Sequence, residues 1–153
     1  MGAWDFGPFD NDTAADWSGD LQDTKPERRV ALIRETLGEV LHESAYLDSG
    51  PAERAIAAAA VIASLQPGGS ALTTPYAPDF LTGGGTLELP DDLPDLALRA
   101  LDRITGADSE WPELWEDGLP KALAALRPVR DALESGTPEP GALEPGALEP
   151  GAG

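Results

Sequence analysis

The sequence predicts an all-α fold: a compact bundle of about five helices with a buried Ala-rich central helix, a long loop and a disordered C-terminal tail. Three observations predict it. Apolar residues recur at three- and four-residue spacing in four separate segments. Between them lies "AIAAAAVIA", from Ala55 to Ala63, which has no polar face and therefore belongs inside. The chain ends in "TPEPGALEPGALEPGAG", which has too little apolar surface to offset the entropy of ordering. The expected boundaries are a single helical domain over 1–136 and a disordered Pro/Gly/Ala/Glu repeat tail over 137–153.

The elements follow in order. Met1 to Phe9 is too rich in Gly and Pro for regular structure, and Trp4, Phe6 and Phe9 would pin it to the body. Asp10 or Asn11 is a suitable N-cap, and Asp12 then meets the positive end of the helix dipole. On this first helix Asp12, Asp16, Asp20 and Asp23 fall within an arc of about 80°. Ala14, Trp17 and Leu21 lie opposite. The pattern is an amphipathic helix with an acidic ridge, which is either a solvated face or a protein-binding one.

Thr24 and Glu27 have capping-box spacing, with Pro26 in the first turn. The second helix is expected to run to Tyr46, burying Val30, Ile33, Leu37, Val40, Leu41 and Ser44. Gly38 inside it either admits a close neighbour or weakens the helix. Asp48-Ser49-Gly50-Pro51 is a turn and cap, and the central helix spans Pro51 to Leu65. Residues 67–92 form a long loop. Thr86 to Leu89 could make a strand there but would lack a pairing partner. Asp91 or Asp92 caps a fourth helix that turns Leu93, Ala97, Leu101 and Ile104 inward, and Gly106 closes it. Ser109 caps a short turn that docks Trp111, Leu114 and Trp115. Pro120 opens a last helix burying Leu123, Leu126, Val129 and Leu133, with Pro128 kinking or breaking it.

Composition narrows the function. The chain has 153 residues, enough for one domain with one core. It has no Cys, which excludes disulfides, thiolate nucleophiles and Cys-ligated zinc and fits a reducing cytoplasm. No basic region precedes an apolar run, so no secretory signal is expected. Phe6 stands where a myristoylation signal wants Ser or Thr. Net charge is −18, which disfavours nucleic acid and anionic membranes and favours a basic protein partner. The acid is blocked: residues 1–23 carry six Asp and no base, and residues 86–117 carry ten acids against Arg99 and Arg103. Eight Arg against two Lys, with abundant Ala, Gly and Pro, reads as a GC-rich bacterial composition.

The candidate chemical motifs are weak. Asp5-Phe6-Gly7 matches a kinase triplet, but the other kinase motifs are missing. Asp10-Asn11-Asp12 starts like an EF-hand loop, then places Ala14 and Ala15 where ligand and glycine are needed. His42 is the single histidine, sits beside Glu39 and Glu43, and falls off the buried stripe. Gly83 to Gly85 lacks the Lys and Ser/Thr of a phosphate loop. Glu110, Glu113 and Glu116 read as the wet face of a short turn. No catalytic, cofactor or metal residues are assigned.

The opening "MGAWDFGPFDNDTAADW" resembles the N-terminal signature of the bacterial domain of unknown function 4259 family. Met1, Gly2, Trp4, Gly7, Phe9, Asn11, Asp12, Ala15, Asp16 and Trp17 fit it, while Asp5 replaces a usual glycine. The Ala-rich "AIAAAAVIA" and "DSEWPELWED" are similar too, and the likeness covers roughly residues 1–135. It implies the helical domain and no activity. A signature that starts at residue 1 implies that a bulky N-terminal extension destabilises the fold.

Two functional readings remain open. One is a non-enzymatic acidic interaction protein that neutralises or regulates a basic protein, as immunity or antitoxin-like proteins do, using the ridge Asp12, Asp16, Asp20 and Asp23. The other is a small ligand-binding domain or enzyme that uses carboxylates and tryptophans near the 67–92 loop.

Overall fold

The computed structural model describes residues 11–66, 77–82 and 87–136. Its helices are α1 (Asp12–Asp23), α2 (Arg29–Leu41), α3 (Ser49–Ser64), α4 (Asp79–Thr82), α5 (Leu93–Thr105), α6 (Glu110–Trp115) and α7 (Leu119–Gly136). Single 3-10 turns, Pro26–Arg28 and Glu116–Gly118, lead into α2 and α7. The described residues form no strand; Leu47 and Ser109 make one isolated parallel bridge. The all-α reading therefore holds. Trp4, Gly7 and Phe9, most of the long loop and the 137–153 repeats lie outside the described residues.

Helix α3 is the hub. Ala52 and every residue from Ala55 to Ala63 are buried, and α1, α2, α5, α6 and α7 all pack against it. Methyl side chains let the surrounding helices approach the backbone from every side. The aliphatics of those helices complete the core: Leu21, Ile33, Leu37, Leu93, Leu101, Ile104, Leu126 and Leu133 are each at most 2 % exposed. Each such side chain contributes about 1.5–3 kcal/mol by leaving water.

Helix α5 follows its sequence pattern closely, with Leu93, Ala97, Leu101 and Ile104 all fully buried. Elsewhere the structure corrects the expectations. Thr24 closes α1 instead of opening α2: its hydroxyl donates to the Asp20 carbonyl at 2.6 Å. No capping box forms, and α2 begins at Arg29 without a side-chain cap. It ends at Leu41, short of Tyr46, so Ser44 is exposed. The chain beyond is drawn off by contacts to α5 and α6 that no local pattern encodes. Leu114 and Leu123 are exposed, at 39 % and 41 %, because their neighbours Trp111, Ala122 and Leu126 take the inward positions. Gly106 closes α5 in an extended conformation, not a left-handed one. Helix α7 continues through Pro128 without a break. Pro128 and Ala124 both face solvent, so the carbonyl that loses its i+4 donor can be hydrated.

The four residues of α4 were not anticipated. They are held at the end of α1, where Gln22 Oε1 accepts from the Phe80 amide at 2.7 Å. Arg29 stacks its guanidinium 3.8 Å from the centre of the Phe80 ring and donates to the Leu21 and Gln22 carbonyls. One arginine thus caps the C-terminal end of α1 and supplies a cation–π seat for α4.

Two mid-helix glycines, Gly19 and Gly38, answer no packing requirement. A Cβ at Gly19 would meet nothing within 4 Å, and one at Gly38 would touch only the His42 ring of its own helix, at 3.7 Å. Neither permits a close helix approach; both only weaken their helices. Gly19→Ala and Gly38→Ala should each raise the free energy of unfolding by about 0.5–1 kcal/mol. Chemical denaturation of the single and double variants checks this, with near-additive gains expected.

Candidate functional site

The acidic ridge begins from helix geometry: aspartates at i, i+4 and i+8 share a face, and Asp23 falls between them. The structure places Asp12, Asp16, Asp20 and Asp23 at the surface. Four ion pairs lie among the described residues, Arg34–Asp92, Arg54–Glu39, Arg99–Asp95 and Arg130–Asp102, and none of these involves the ridge. The opposite face buries Ala14, Trp17, Ser18 and Leu21.

The helix is fixed at both ends and through its middle. Asn11 is its N-cap, with Oδ1 accepting from the Ala14 amide at 2.7 Å. Trp17 is 3 % exposed and its indole N–H donates to Thr36 Oγ1 at 2.9 Å. The Thr36 hydroxyl in turn donates to the Leu32 carbonyl at 2.8 Å. The described part of the sequence signature thus divides. Asn11 and Trp17 build the helix and its contact with α2, while Asp12 and Asp16 face outward.

A family model described as a domain of unknown function, DUF4259, matches residues 2–140. The chain belongs to the DUF4259 family. No curated protein and no solved structure matches it.

The other candidates separate in the structure. His42 is exposed at the end of α2. Among the described residues no three His, Asp or Glu side chains converge as metal ligands. No helix of the described residues is long and apolar enough to cross a membrane. Of the 67–92 loop, Leu87 and Leu89 pack half-buried on the core, and Asp92 is held by both terminal nitrogens of Arg34. That bond, more than any other contact, keeps the Asp92 carboxyl below its ordinary range. Trp111 is buried and stacks edge-on against Trp115 at 5.9 Å between ring centres.

The α6 glutamates do more than wet a surface. Glu110 Oε1 accepts from the Ser49 amide at 2.8 Å and so caps α3, whose own N-cap residue Asp48 makes no side-chain cap bond. Glu113 accepts from the Tyr46 hydroxyl at 3.0 Å. Arg103 donates to the carbonyls of Ala107, Asp108, Glu43 and Ala45, the last at 2.6 Å, and so ties the segment after α2 to the end of α5. Sequence reasoning missed these roles because each joins residues some sixty positions apart. Glu53, half-buried in the second turn of α3, was also missed. Burial raises its carboxyl above the ordinary value, with the Glu110 charge adding to the rise, while the Thr13 hydroxyl bond and Arg54 oppose it. The buried hydroxyls of Ser18 and Ser109 have no hydrogen-bond partner among the described residues, so Ser109 holds the N-cap position of α6 without the expected side-chain cap.

Two outcomes follow. Thr36→Val should strand the Trp17 N–H and destabilise the protein by about 1–3 kcal/mol, whereas Thr36→Ser should retain most of the stability. Equal losses in denaturant melts would show that volume, not the hydroxyl, matters. For Glu53 the folded state binds the proton more tightly than the unfolded chain, so its contribution is full at low pH and is lost as pH rises through the raised value. The stability of Glu53→Gln relative to the native chain should therefore increase between about pH 4 and pH 7. A constant difference across that range would refute the linkage.

Proposed function

We propose that this protein is a non-enzymatic acidic interaction protein that binds a basic protein partner and neutralises or regulates it, in the manner of an immunity or antitoxin-like protein. One observation carries the reading. Four carboxylates line one exposed face of α1, and none is engaged by a cation of the described residues. Such a row leaves its field available to a partner, where complementary charge raises the rate of encounter and discriminates between partners. The net charge of −18 acts in the same direction and repels nucleic acid and anionic membrane. A bacterial cytoplasm is the proposed setting, supported by the Arg-over-Lys bias and by a cysteine-free chain suited to a reducing compartment.

Affinity capture from lysate of the native host, with nuclease treatment and two salt concentrations, tests the proposal. The native chain should retain a basic protein at low salt. The variant with Asp12, Asp16 and Asp20 all changed to Asn should bind it roughly tenfold or more weakly, and high salt should release it. Retention that is indifferent to the triple substitution and to salt would overturn the ridge as the binding face.

A further inference from the structure

The acidic ridge has no large apolar side chain among its outward positions, and charge without an apolar anchor steers a partner but seldom holds it. A different part of the surface supplies the missing component. Helices α1, α3 and α6 all begin at one end of the bundle. Thr13 of α1 and the Glu110 charge of α6 both act on the Glu53 carboxyl of α3. Glu110 also holds the Ser49 amide, and Glu113 one turn later holds Tyr46. Carboxylates from α1, α3 and α6 are thus gathered at this end, with Arg54 turned to Glu39.

At its α6 side stand two exposed large hydrophobics. Tyr46 is 44 % exposed and Leu114 is 39 % exposed. Glu113 adjoins both, bonded to the Tyr46 hydroxyl and next to Leu114 in the chain. Asp108, Glu116 and Asp117 are exposed nearby and belong to none of the four ion pairs. Arg103, the arginine of this corner, directs its guanidinium at backbone carbonyls. The result is two exposed apolar side chains, one on each side of Glu113, in surroundings where carboxylates outnumber cations.

We infer that this end of the bundle is a docking face for a basic segment of a partner protein, with Tyr46 and Leu114 receiving an apolar side chain and the surrounding carboxylates receiving its Lys and Arg neighbours. The inference rests on the acidic-interaction reading and adds where the partner is anchored and what its segment contains. Aromatic side chains are over-represented among residues that dominate binding energy, and a ring of polar contacts shields them from water. Charge complementarity selects the occupant: a second copy of a chain at −18 would be repelled, whereas a Lys- and Leu-bearing segment matches both the charge and the apolar pair.

The experiment uses the full isotope-labelled chain and two synthetic peptides, one alternating Lys and Leu in amphipathic order and one with every Leu replaced by Ser. Amide chemical shifts report the site and the affinity. The Lys/Leu peptide is expected to perturb residues 43–48 and 110–117, and to bind roughly tenfold more tightly than the Lys/Ser peptide. Leu114→Ser and Tyr46→Ala should each remove most of that advantage. Tyr46→Phe, which keeps the ring and loses only the bond to Glu113, should keep it and so separates anchoring from folding. Equal binding of both peptides, or shifts centred on residues 12–23, would overturn the anchor while leaving an acidic protein that binds by charge. Absence of binding by either peptide would count against both readings.

Discussion

The structure depends on the tolerance of α3 for neighbours on every side. A helix surrounded by five others has no room for the usual alternation of large core residues and charged surface ones. Ala from 57 to 60 meets that constraint, with Ile56, Val61 and Ile62 filling the wider gaps. The packing logic is the inverse of a leucine-rich core: volume is supplied by the surrounding helices, and the centre supplies proximity. Interiors packed to crystal-like density accept little added bulk. A methylene added at Ala58 or Ala59 therefore acts on several helices together, because each of them rests on the same backbone.

This central element was fully legible in the sequence, and α5 nearly so, because an all-apolar run and a strict three-four repeat each have one solution in a helical protein. The first cap was legible for a similar reason, since Asn11 is followed by an acid and then by an amphipathic pattern. Errors gathered where two local grammars compete for one residue. Thr24 fits both a helix end and the start of a capping box, and only the carbonyl of Asp20 within reach decides the matter. Leu114 and Leu123 sit at register positions that fit an inward face, yet better-placed neighbours occupy the core. Within the acidic surface the ridge could be read directly. The cap that Glu110 gives α3 could not, since a glutamate in a first turn has a sufficient local reason to be there.

That local reason bears on the charge pattern as a whole. Asp12 and Glu110 each lie in the first turn of a helix, where the unpaired amide groups favour a negative neighbour, and Glu53 lies one turn into α3. The three helices start at the same end of the bundle, so two separate stabilising choices and the Glu53 carboxyl add up to one acidic field. The repulsion within it is visible at Glu53, whose carboxyl is hindered from ionising by burial and by Glu110. An acidic surface can thus arise from helix architecture and then become available for recognition, with no residue placed there for one purpose only.

Arg103 gives the molecule a temporal order as well as a shape. Its guanidinium holds the carbonyls of Glu43 and Ala45, which precede it by 60 and 58 positions. On a ribosome that emits residues one after another, α1, α2 and α3 leave the exit tunnel long before this anchor is made. The 43–48 segment must wait, unfastened, for α5 to arrive. The first three helices can meet through the Ala face of α3 in the meantime, but the corner that carries Tyr46 takes its final form only when Arg103 and Glu110 have emerged.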